Sequence, residues 1–125
     1  AHLARAALDC MALQTMDVVR AMSADAATPI GVLKVDGGAS VNDSLMQFQA
    51  DMLDVTVKRP AVAETTALGA AYLAGLAVGF WNDLQDVRDN WALQKEFRGS
   101  MDSEQRESRY GRWQRAVQRS LEWDQ

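Results

Sequence analysis

Cysteine, histidine and proline are scarce: one Cys, one His and two Pro in 125 residues. A lone thiol closes no intramolecular disulfide, so packing has to hold the fold, and a reducing cytoplasm is the compartment that fits. Cys10 falls in an apolar helical pattern, where a free cysteine behaves as a small buried hydrophobe, and nothing pairs it with His2 into a nucleophilic couple. An excess of cations is also missing. With 13 basic and 17 acidic side chains the net charge is −4, which favours solubility, carries no nucleic-acid footprint and leaves any anionic ligand to a local site. The longest apolar run, residues 67–81, is shorter than the ~20 residues of a spanning helix, so no membrane segment is expected. Phosphate-binding signatures are absent too, both GxxxxGK[ST] and G-x-G-x-x-G; Lys34 precedes the only glycine pair. No signal-peptide pattern opens the chain. "AHLARAALDC" begins as though already inside a helix, and the expectation is a piece of a longer protein.

The 48% hydrophobic content suffices for one packed domain. Residues 3–22 lack Pro and Gly. Leu3, Ala7, Cys10 and Leu13 lie at helical spacing, while Leu8, Met11, Val18 and Met22 widen the apolar surface. "DAATPIG" breaks this helix, and "VLKVD" reads as an interior strand. A helix over residues 41–53 follows, with stripes Leu45/Phe48/Met52 and Met46/Ala50/Leu53; Ser40 with Asp43 resembles a capping box at its start. "VTVKRP" is a second strand ended by Pro60. A small-residue helix, "TALGAAYLAGLAVGFW", is expected to be buried, with Glu64, Thr65 or Thr66 capping it and Gly69 and Gly75 marking a close backbone approach. A short helix over residues 84–90 and a loop lead to an amphipathic helix over residues 103–123. Its stripe is Tyr110, Trp113, Val117 and Leu121, and its arginines 106, 109, 112, 115 and 119 read as a solvated face balanced by Glu104, Glu107 and Glu122. Strands separated by helices imply parallel neighbours. Two strands make a poor sheet, so more sheet is expected from elsewhere.

The stretch "VDGGASVND" carries the chemistry. Ligands of open α/β sheets collect beyond the carboxyl ends of strands, where this turn lies. Glycines admit a ring or phosphate to the backbone, the N–H groups of a helix start favour an acceptor, and Asn42 offers donor and acceptor together. A tight connection with no ligand explains the same two glycines. Asp36 is better read as a turn acceptor than as a base, and Glu64 as a cap; neither is assigned to catalysis.

"HLARAALD", "LKVDGGASVND", "KRPAVAETTALGAAYLAGLAVGFW" and "RYGRWQRAVQRSLEW" occur in the order found in the C-terminal part of the FGGY carbohydrate kinases, and the chain resembles that family over nearly its whole length. The small-residue helix is the most specific of these motifs. His2, Leu3, Ala6, Ala7, Leu8 and Asp9 look like the second half of the family's C-terminal signature. The resemblance implies a partial ribonuclease H-like α/β domain of the actin, Hsp70 and hexokinase type: parallel strands alternating with helices, a helical C-terminus, and ATP held between two such domains. Residues 1–125 would be the C-terminal portion of the second domain. Gly37, Gly38, Ala39 and Asn42 would seat adenosine, while Asp43 stands where many members have a second Asn. The phosphate-gripping turn, the glycerol-contacting residues, the aspartate base and the Mg²⁺ ligands would lie upstream; no catalytic or metal residue is assigned here. The implied activity is γ-phosphoryl transfer from MgATP to glycerol, in a cytoplasmic homo-oligomer, with the isolated chain inactive. The alternatives are an FGGY kinase of a pentulose or gluconate, or a free-standing interaction or oligomerisation module.

Overall fold

A computed structural model describes residues 1–122. Its elements are α1 (His2–Ala26), β1 (Val32–Lys34), a 3-10 turn (Gly38–Val41), α2 (Asp43–Leu53), β2 (Thr56–Pro60), α3 (Thr65–Ala77), α4 (Leu84–Asp89), β3 (Leu93–Phe97) and α5 (Ser103–Ser120). The strands form one sheet in the order β1-β2-β3. As the helical crossover requires, β1 and β2 are parallel, with Leu33 opposite Val57. The third strand corrects the expected loop after residue 90. β3 pairs antiparallel with β2, Lys58 facing Glu96, and breaks register between Arg59 and Pro60, where proline has no N–H to give.

Alternation along β2 turns Val57 and Arg59 inward. Against that face pack Leu45, Met46, Phe48, Ala50 and Met52 of α2, with Ala12, Leu13 and Met16 of α1, Phe97 and Tyr110. Both stripes of α2 are therefore used. On α1 the buried positions cluster in mid-helix; of the widening residues Met11, Val18 and Met22 stay exposed, as do Leu3 and Ala7, while Leu8 packs half-buried against the core and Cys10 is half-buried. Asp17 joins α1 to α5: its carboxylate accepts from the Tyr110 hydroxyl at 2.6 Å and from the Trp113 indole N–H at 2.8 Å. Arg20 lies 4.1 Å over the Tyr110 ring. The arginine face of α5 is partly engaged, since Arg106 pairs with Asp54 at 3.1 Å and Glu107 bonds Arg20. The helix ends at Ser120, where Leu121 turns extended, and so stops short of the expected end at Trp123, itself outside the described residues.

Helix α3 departs most from expectation. Gly75 is its one buried residue, and Leu73 stands 70% exposed. The close approach at Gly75 is the Trp81 ring, not a backbone, and Gly69 faces open space. Glu64 occupies the N-cap position without a side-chain capping bond. Among the described residues, no helix is long and apolar enough to cross a membrane.

Candidate functional site

The glycine turn connects β1 to α2, and its shape follows from a few hydrogen bonds. Gly37 adopts φ 74° and ψ 176°, a conformation open essentially to glycine alone. Its N–H donates to the Ala63 carbonyl at 2.8 Å, which ties the turn to the approach of α3. Its carbonyl accepts from both the N–H and the hydroxyl of buried Ser40, at 3.1 and 2.7 Å. Asp36 accepts from the Thr65 hydroxyl, as a turn acceptor should.

The helix start differs from the expected capping box. Asn42, not Ser40, is the N-cap, and its Oδ1 accepts from the Leu45 N–H at 3.0 Å. This bond fixes the amide, because only oxygen can accept from an N–H. Nδ2 is left as a donor with no acceptor among the described residues. Asp43 pairs instead with Arg59 at 2.9 Å and Lys95 at 2.6 Å. Lys95 first, and then Arg59, hold its carboxyl below the usual carboxylate range. The Asp43 carboxylate is thus employed within the fold.

The four residues singled out from the sequence come together. Gly37, Gly38, Ala39 and Asn42 line one short bend; Gly38 and Ala39 are exposed, and their N–H groups meet no acceptor among the described residues. A methyl group at Gly38 would touch nothing within 4 Å, so a ligand can reach the backbone from that side. Beside the turn, Asp36, Ala39, Leu45 and Met46 line an open cleft of about 250 Å³ with Met11 and Thr15. That volume is below the ~300 Å³ at which small-molecule pockets begin. A larger cleft of about 770 Å³ lies between α2, β3 and α5. Of its cations, Arg5, Lys95 and Arg98 are each paired with an acid of the chain, and Arg109 lies 5.8 Å from the centre of the Phe48 ring. No group of three or more His, Cys, Asp or Glu side chains is placed to hold a metal ion among the described residues. The residues present suit a polar ring and do not by themselves suit Mg²⁺.

Arg59 is the functional candidate that sequence reading missed. "VTVKRP" reads as an ordinary strand, and the available signal was its period-2 alternation, which turns Arg59 to the same side as Val57 and into the core.

The fold and the turn define a sugar-kinase type of α/β domain. Residues 1–78 match the model of the FGGY family of carbohydrate kinases, C-terminal domain, and the chain belongs to that family. It is 60% identical over 123 residues to a glycerol kinase of Burkholderia cenocepacia, covering 98% of this chain and 25% of the relative. Among solved structures it resembles Plasmodium falciparum glycerol kinase with ADP, at TM-score 0.83 and 34% identity over 96% of this chain and 24% of that one. The xylulose kinase of Rhodospirillum rubrum shares the fold, at TM-score 0.73 and 22% identity over 94% of this chain and 24% of its own. The chain therefore spans about a quarter of the length of the relatives it matches.

Proposed function

We propose that residues 1–125 form the C-terminal portion of the second domain of an ATP-dependent glycerol kinase, a cytoplasmic homo-oligomer that makes glycerol 3-phosphate. In this reading Gly37, Gly38, Ala39 and Asn42 seat the adenosine of ATP or ADP. The observation that carries it is the turn itself: two free N–H groups, an unobstructed Gly38 and an Asn42 amide whose orientation the N-cap bond fixes. Nδ2 supplies a donor to a purine ring acceptor, and the glycines let the nucleoside lie against the backbone. Identity of 60% to a glycerol kinase over 98% of this chain supports glycerol as the substrate.

Phosphoryl transfer needs groups that position the γ-phosphate, activate the acceptor hydroxyl and bind Mg²⁺. When bound, the metal neutralises charge on the phosphates, and its ligands lie outside this chain. Asp36 and Glu64 take no catalytic role, the first being engaged with Thr65. The purified 125-residue chain is accordingly expected to make no ADP in response to glycerol, and to bind ATP weakly because it offers one wall of a cleft. In the intact polypeptide, Asn42→Ala raises KM for ATP about tenfold, the loss of one oriented hydrogen bond in a dry site. Glycerol-dependent turnover by the isolated chain, or an unchanged KM for ATP in the variant, would refute the reading.

A further inference from the structure

We propose that Arg59 is a positioning residue for nucleotide binding, holding the turn at residues 37–42 in the shape that presents Gly38 and Asn42. This rests on the reading of that turn as the adenosine seat.

Arg59 is only 7% exposed, and a guanidinium taken out of water has to be paired on every side. All three of its nitrogens are engaged. Nη1 donates to the Ser40 carbonyl at 2.7 Å, Nη2 meets Asp43 Oδ1 at 2.9 Å, and Nε donates to Gln94 Oε1 at 2.7 Å. The Phe97 ring lies 5.4 Å from the guanidinium carbon.

Two of the three partners, Ser40 and Asp43, flank Asn42 in the chain. One buried cation therefore brackets the N-cap residue, and pins the Ser40 carbonyl of the 3-10 turn to the first residue of α2. The third partner, Gln94, belongs to β3, which ties the turn to the sheet edge. From β3 Lys95 also reaches Asp43 Oδ2 at 2.6 Å. Arg59 bonds neither Gly38 nor Asn42, so it works through Ser40 and Asp43.

Lysine cannot reproduce this. Its ammonium is a compact point charge, whereas the acceptors here are spread around a planar fork. Loss of the fork frees the Ser40 carbonyl and lets residues 40–43 relax as a unit, moving the N-cap amide and the Gly38 N–H together. A core residue of purely structural value would lower stability without singling out one substrate.

Steady-state kinetics of the intact polypeptide, varying ATP and glycerol separately, test this with Arg59→Lys, Asp43→Ala and Asn42→Ala, each checked by thermal melting. Arg59→Lys is expected to raise KM for ATP about tenfold, the scale of one charge-assisted hydrogen bond, with KM for glycerol within about twofold of wild type. Should Arg59→Lys fail to fold, exposed Asp43→Ala carries the same expectation at about threefold, because it releases Nη2 and Lys95 together. The proposal is overturned if Asn42→Ala raises KM for ATP while the folded Arg59 and Asp43 variants leave it unchanged. It is equally overturned if they raise both Michaelis constants alike. An unchanged KM for ATP in Asn42→Ala would show instead that the turn is not the adenosine seat, and the positioning role falls with it.

Discussion

Separate alanine substitutions at Gly37 and Gly38 should have opposite effects, because the two glycines are in the turn for different reasons. Gly37 has φ 74° and ψ 176°, and an added Cβ would meet nothing within 4 Å. The penalty there is conformational, not steric: about 1–3 kcal/mol for holding an L-residue in that region. Gly38 has no such φ, and its Cβ also points into open space. Alanine there restricts the unfolded chain and should leave stability unchanged or raise it by up to about 1 kcal/mol. The two variants should thus differ by roughly 1–4 kcal/mol in urea denaturation followed by tryptophan fluorescence, at equal m-values. Nucleotide affinity of the intact polypeptide reads the other half of the argument. Gly38→Ala should bind ATP more weakly despite its undiminished stability, since the methyl occupies the space through which a nucleoside reaches the backbone. A Gly37→Ala protein as stable as wild type would sink the conformational reasoning. A Gly38→Ala protein that loses stability, or keeps full ATP affinity, would sink the ligand reasoning.

The glycines of α3 allow a similar comparison: Gly69→Ala, which meets nothing, should stabilise by about 1 kcal/mol. Gly75→Ala should displace the Trp81 ring from its edge contacts with Tyr72 and Phe80, at 5.0 and 4.8 Å, and cost about 1 kcal/mol or more; unchanged tryptophan emission would refute this. The Tyr110 phenol is pushed above its ordinary 10.0, chiefly by its hydrogen bond to Asp17, then by burial and the Asp17 charge. A raised native value means that its contribution to stability is complete below pH 10 and is lost as pH rises through the native value. Asp17→Asn should bring the Tyr110 transition in tyrosinate absorbance back toward the ordinary value, and no change would exclude Asp17 as the cause.

The legibility of the chain follows the strength of its periodic signals. Helix α2 was readable because its apolar residues fall at helical spacing and nearly all are buried, and β1 and β2 because β-branched runs lie between turn signals. β3 was not readable: of "LQKEF" only Phe97 is buried, so an edge strand gave no alternation to detect, and its pairing is chosen by β2. The helix start was misassigned because Ser40, Asn42 and Asp43 all suit an N-terminus; tertiary contacts decided. Ser40 is drawn under the turn by Gly37, and Asp43 outward to Arg59 and Lys95. The glycine turn was placed correctly from strand, glycines and helix in succession. Its support by Arg59 was hidden, because a charge in a strand reads as solvated until the sheet's inner face is known.

The burial of α3 failed as an expectation for a different physical reason. Its composition calls for cover on every side, yet Leu73, Val78 and Phe80 are 70%, 82% and 75% exposed among the described residues. The closed core is built instead from α1, α2, the sheet and Tyr110 of α5. The glycine turn is bonded to that core through Ser40 and Arg59 and to the approach and start of α3 through Ala63 and Thr65. The bonds that hold the turn, and the N-cap bond that orients Asn42, are all made within the chain, so in the proposed reading the half-site is set before any ligand arrives and the remaining contact area comes from a facing surface. Relatives about four times as long as this chain have the polypeptide to provide one.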